Sequence, residues 1–245
     1  MVLAIELFSK VGGEFAARWA HVLSGIAWIG LLYYFNVVQV PAFAQMEAPA
    51  RNNAIDKLAS RALWWFRWSA LSTALLGFVI LAFQDNLTEM SYFKTPAGVS
   101  ILTGLVLGLT MFVNVWAVIW RKQKVVIANA RNVQAGGEAD PNAAAAGRTA
   151  LLASRQNMIF SFPMLMFMIG TAHFFELAKF TTADRGVYYL LAGLLWILFE
   201  LNCLGVIGGK TANATNWMYE SHKNAIITAS ILTVVYYALW EILLT

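Results

Sequence analysis

The chain has 245 residues, of which 60% are hydrophobic and only 12% charged, with a net charge of +4 and a mean hydropathy of +0.62. A soluble domain of this size carries roughly 25% charged residues, so the composition excludes an ordinary soluble enzyme or a nucleic-acid-binding surface and points to a multi-pass integral membrane protein. A single cysteine, Cys203 in an apolar run, excludes a disulfide framework, and no CxxCH motif offers covalent haem attachment.

The apolar runs are continuous rather than alternating, which excludes barrel strands. Backbone satisfaction in lipid then leaves an all-α bundle. Met1–Phe15 carries Glu6 and Glu14 and breaks at Gly12-Gly13, so it reads as an interfacial segment, not a cleavable signal. The first span is expected over Ala16–Val40 and contains "RWAHVLSGIAWIGLLYYF" (Arg18–Phe35). A loop with Arg51, Lys57 and Arg61 leads to the second span, Ala62–Gln84, which opens with the aromatic cluster "WWFRW" (Trp64–Trp68). Only Lys94 precedes the third span, Gly98–Trp120.

Beyond it, Arg121–Gln134 keeps helical composition, Gly136–Asn142 is a turn, and Ala143–Asn157 resumes the helix. This predicts a helical hairpin projecting from the membrane between the third and fourth spans. The fourth, fifth and sixth spans are expected at Asn157–Ala178, Gly186–Ile207 and His222–Leu244. Lys and Arg collect in the first and third connections, whereas Lys94 and then Lys179 and Arg185 are all that mark the second and fourth. That bias makes the rich loops and the hairpin cytoplasmic and both termini external. One six-helix transmembrane domain is expected over residues 1–245, against a lipid bilayer and with no nucleic-acid partner.

Three histidines are present. His21 and His173 fall about one turn inside the outer ends of the first and fourth spans, and His222 opens the sixth on the other side. Two imidazoles at matching depth on different helices are what a bis-histidine b-type haem requires. Gly25 and Gly170, each about one turn away, leave room for a flat macrocycle. Arg18, one turn outward of His21, is placed to meet a propionate. The alternative is interhelical hydrogen bonding by the histidines, with Arg18 snorkelling to the interface.

Asn36, Asn114, Glu200 and Asn202 fall in the inner half of the bundle, where hydrogen-bonded glue between helices is expected; a proton-carrying Glu200 is the other reading. Trp64–Trp68 with Arg67 suit the inner aromatic belt. Tyr188, Tyr189, Tyr236, Tyr237 and Trp240 suit the outer one.

"RWAHVLSGIAWIGLLYYF", "WWFRWSALSTALLGF" (Trp64–Phe78) and "SRQNMIFSFPMLMFMIGTAHF" (Ser154–Phe174) together resemble the membrane domain of bacterial membrane-bound urate oxidases. The resemblance covers most of the first four spans. It reaches His21, Trp28, Gly30, Arg155, Asn157, Pro163 and His173, while Gln156 stands where the family's pattern has a histidine. It implies a bacterial inner membrane location and a cytochrome c domain on the periplasmic side. No such domain lies within Met1–Thr245, so a separate periplasmic cytochrome is expected in that place. The leading expectation is a haem b protein that passes electrons to or from a periplasmic cytochrome or partner oxidoreductase. A urate-oxidising enzyme, or a scaffold subunit of a respiratory or photosynthetic complex, are the alternatives.

Overall fold

The computed structural model describes residues 8–179 and 184–245, all of them in helices and their connections. Long apolar runs with few interior breakers form six principal helices. They are α1 (Lys10–Gln45), α2 (Ala48–Phe83), α3 (Pro96–Gln134), α4 (Ala143–His173), α5 (Arg185–Cys203) and α6 (His222–Leu244). Their starts carry the expected chemistry. The hydroxyls of Ser9, Thr95 and Ser221 accept from the amides of Gly12, Gly98 and Asn224 at 3.1, 3.1 and 3.0 Å, satisfying donors that the first turn leaves open.

Several boundaries differ from expectation for physical reasons. α1 begins at Lys10, so the part of the supposed interfacial segment beyond Ser9 is helical; Glu6 lies outside the described residues. Gly13 does not break it, because its bare α-carbon lies against α2, where a Cβ would stand 2.7 Å from the Phe83 ring. α4 ends at His173, short of Ala178, where Phe174 leaves the helix at φ −141°. α5 ends at Cys203 rather than Ile207, ahead of Gly205, Gly208 and Gly209, all at positive φ. The hairpin between α3 and α4 forms as expected, with its turn at Gly136.

Each of the first three helices also contains a π-helical stretch: Tyr34–Gln39, Ile55–Ala59 and Asn114–Ile119. Such stretches insert one residue per turn and re-aim the side chains beyond them. Two of the three carry buried asparagines, Asn36 and Asn114.

α1 packs chiefly on α2, α5 on α6, and both α3 and α6 on α4. α4 is therefore the axis of the bundle: every residue from Arg155 to Ser161 is buried. Five helices, α1, α2, α3, α5 and α6, are long and apolar enough to cross a membrane. α4 has the length, but Arg155, Gln156, Asn157 and His173 dilute its hydropathy. The aromatic residues expected in an outer belt divide. Tyr188, Tyr236 and Trp240 are core residues, not belt residues. The hydroxyl of Tyr188 bonds Thr103 Oγ1 at 3.0 Å and that of Tyr236 donates to the Ala192 carbonyl at 3.0 Å. Internal partners let a phenol leave the interface.

The close approach of α3 to α4 is testable. A Cβ on Gly104 would lie 3.1 Å from Met168 Cγ and 3.3 Å from its backbone nitrogen, whereas one on Gly193 of α5 meets nothing within 4 Å. Gly104→Leu is expected to destabilise the protein by about 1–3 kcal/mol in detergent unfolding. Gly193→Ala should be neutral or stabilising by up to about 1 kcal/mol.

Candidate functional site

His21 is held by α2. Its Nδ1 lies 2.8 Å from the backbone carbonyl oxygen of Thr73, and its ring fills the space over Gly77, where a Cβ would come within 3.2 Å of Cε1. A carbonyl oxygen only accepts, so Nδ1 carries the proton and Nε2 keeps its lone pair. Ligating imidazoles are commonly fixed in this way. His173, the last residue of α4, is exposed and has no hydrogen-bond partner among the described residues.

The two histidines are related through the α1–α4 contact. The Tyr33 hydroxyl meets Ser161 Oγ at 2.9 Å, and Asn36 Nδ2 donates to Ser154 Oγ at 2.8 Å. The helices therefore run antiparallel with Tyr33 level with Ser161. His21 is twelve residues from Tyr33 and His173 twelve from Ser161, in the same direction along the pair. At 1.5 Å per residue both are displaced by about 18 Å from that bond, so both histidines lie toward the same end of the α1–α4 pair.

The remaining expected site residues are engaged by protein. Gly25 faces Thr73, whose methyl would lie 3.9 Å from a Cβ there. Gly170 receives the Phe175 ring, 2.6 Å from a Cβ position, and that ring stacks on Phe167 with centroids 4.9 Å apart. Arg18 pairs with Glu14 at 2.5 Å. His222 stands apart at the first turn of α6, beside the Ser221 cap.

Midway along α4 lies a polar hub that the sequence reading dispersed. Arg155 is only 3% exposed, yet its Nε and Nη1 donate to neutral oxygens: Asn36 Oδ1 at 3.1 Å and the Tyr219 carbonyl at 2.9 Å. Gln156 Oε1 accepts from the Tyr219 hydroxyl at 2.6 Å. Burial pushes the Tyr219 phenol well above its ordinary value, so it remains a donor. Asn114 Nδ2 lies 3.1 Å from Asn157 Oδ1 and 3.3 Å from Glu200 Oε2, and Asn157 Nδ2 donates to the Met111 carbonyl at 2.9 Å. Asn36, Asn114 and Glu200 are hydrogen-bonded crosslinks, as the glue reading expects. Asn202 donates instead to Ile207 in its own loop.

The sequence reading missed Ser161 and Tyr219, and it reached Arg155 and Gln156 only through the resemblance, with Arg155 in the charged helical connection ahead of the fourth span. Above the hub, an apolar groove of about 420 Å³ opens between Gly30, Tyr33 and Tyr34 of α1, Met158 and Phe162 of α4 and Ile226 of α6. The Tyr33 hydroxyl is already taken by Ser161.

No family model, curated protein or solved structure matches this chain.

A buried guanidinium without a carboxylate depends on its neutral acceptors. Asn36→Leu removes the acceptor of Nε and leaves the charge behind. It is expected to cost about 2–3 kcal/mol of stability. Adding Arg155→Met to that variant removes the stranded charge and should recover part of the loss, read by denaturant titration of both proteins in the same detergent.

Proposed function

We propose that the protein is a six-span bacterial inner-membrane protein, with both termini outside, that holds one b-type haem between His21 and His173. It passes electrons near the outer face to or from a periplasmic cytochrome or a partner oxidoreductase. The observation that carries this reading is the Thr73 carbonyl on Nδ1 of His21, which fixes the tautomer and leaves Nε2 as a ligand atom. His173, toward the same end of the α1–α4 pair as His21, offers the second imidazole.

α4 serves as the sixth span because most of the polar groups in its midsection bond to neighbouring helices rather than to water. Arg51, Lys57, Arg61, Arg121, Lys122, Lys124, Arg131 and Arg148 favour a cytoplasmic N-terminal end of α4 under the positive-inside rule. His21 and His173 then stand in the outer leaflet. An iron with an imidazole on each side supplies one-electron exchange without an open position for substrate. The chain's own contribution is to orient His21 through α2, to keep water from the α2 side of its ring with Gly77, and to hold a cation, Arg18, one turn outward.

The urate-oxidising reading comes second. It rests on the motif resemblance, and Gln156, at the position of the family's histidine, is buried with its carbonyl oxygen taken by Tyr219.

Protein purified in mild detergent should show a Soret band that shifts sharply on dithionite reduction, with a pyridine haemochrome of b type. His21→Ala and His173→Ala should each abolish that spectrum, and His222→Ala should retain it. Absence of haem from the wild-type preparation, or an unchanged spectrum in His21→Ala, would overturn the assignment and favour a scaffold subunit.

A further inference from the structure

Where α2 and α3 meet, three tryptophans surround one arginine. The Arg67 guanidinium carbon lies 3.8 Å from the centroid of the Trp120 ring and 5.8 Å from those of Trp68 and Trp116. Trp68 and Trp116 meet edge to face at 5.5 Å, and Trp64 and Trp65 extend the cluster outward, both exposed. Lys124 Nζ approaches Trp120 at 6.0 Å.

This cluster is short of acceptors. Nε of Arg67 and Nε1 of Trp116 are both buried donors with no hydrogen-bond partner. Among the described residues no carboxylate pairs with Arg67. Asp56, an acidic residue in the same helix, is already committed to Lys57 at 2.6 Å and Arg131 at 2.5 Å. Unpaired buried donors are costly, and cation–π contacts neutralise no charge. An anionic acceptor is the missing chemistry.

Two apolar stripes lead away from the cluster. On α2, Trp64, Trp68, Leu75 and Val79 recur at helical spacing and are all exposed. On α3, Val113 and Val106 continue from Trp116 in the same way and are exposed too. A ligand that matches both the unpaired cation and the stripes has an anionic head and apolar tails. We infer that this junction is a binding site for an anionic phospholipid, its phosphate pairing with the Arg67 guanidinium. Lys124 adds a second positive charge, and the acyl chains lie along the stripes. The site is distinct from the His21–His173 pair, and it rests only on the protein being a membrane protein.

Native mass spectrometry of delipidated protein tests this with defined probes: phosphatidylglycerol, phosphatidylethanolamine and inorganic phosphate. Phosphatidylglycerol should be retained preferentially and should raise the melting temperature. Inorganic phosphate should do neither. Arg67→Met should weaken phosphatidylglycerol retention about fivefold, the loss expected for one basic group at a lipid surface. Lys124→Met, which removes the second positive charge, should weaken it by a smaller factor and serves if Arg67→Met does not fold. Equal retention of the two lipids by the wild type, unchanged retention in both Arg67→Met and Lys124→Met, or equal stabilisation by inorganic phosphate would overturn the site.

Discussion

The structure depends on one constraint: the polar side chains of α4 are enclosed by apolar helices, so each must find its partner inside the protein. Arg155, Gln156, Asn157 and Ser161 follow one another around this helix, and all are buried. Their bonds reach α1 through Asn36 and Tyr33, α3 through Asn114 and Met111, and the short helix Trp217–Glu220 through Tyr219. A hydrogen bond has a direction and a length, unlike apolar contact between helices. These bonds therefore set the register of the surrounding helices about α4. The π-helical stretches belong to the same solution, because two of them bring Asn36 and Asn114 to face α4.

The same register links the two ends of the molecule. Pairing Tyr33 with Ser161 puts His21 and His173 toward the same end of the α1–α4 pair, about 18 Å further along. His21 gains its orientation from a different source, the Thr73 carbonyl of α2. The aromatic residues near His173 belong to the fold: Phe175 turns back into Gly170, and Trp240 packs against it at 4.5 Å.

Composition and periodicity were sufficient for the helical class, the α3–α4 hairpin and the approximate helix positions, because continuous apolar runs in lipid have few alternatives. They were also sufficient to single out His21, since an ionisable residue in an apolar run is conspicuous. What they could not give is partnership. Tyr188, Tyr236 and Trp240 look like belt residues by position and are core residues by contact, a difference that rests on Thr103 and Ala192 on other helices. Gly170 leaves room for the Phe175 ring, which one-dimensional spacing does not reveal. Arg155 reads as one charge of the connection before the fourth span, whereas it is buried and bonded to Asn36 of α1 and to Tyr219, partners that the sequence alone does not reveal.

The central claim is that α4 crosses the membrane despite its polar midsection, since both the hub and the histidine pair depend on that placement. Single cysteines at Ala144→Cys and Glu176→Cys, in a Cys203→Ser background, bracket the helix at two exposed positions. A membrane-impermeant maleimide should label position 176 from the outside of spheroplasts and position 144 only in inverted vesicles. Labelling of both positions from the same side would contradict the account.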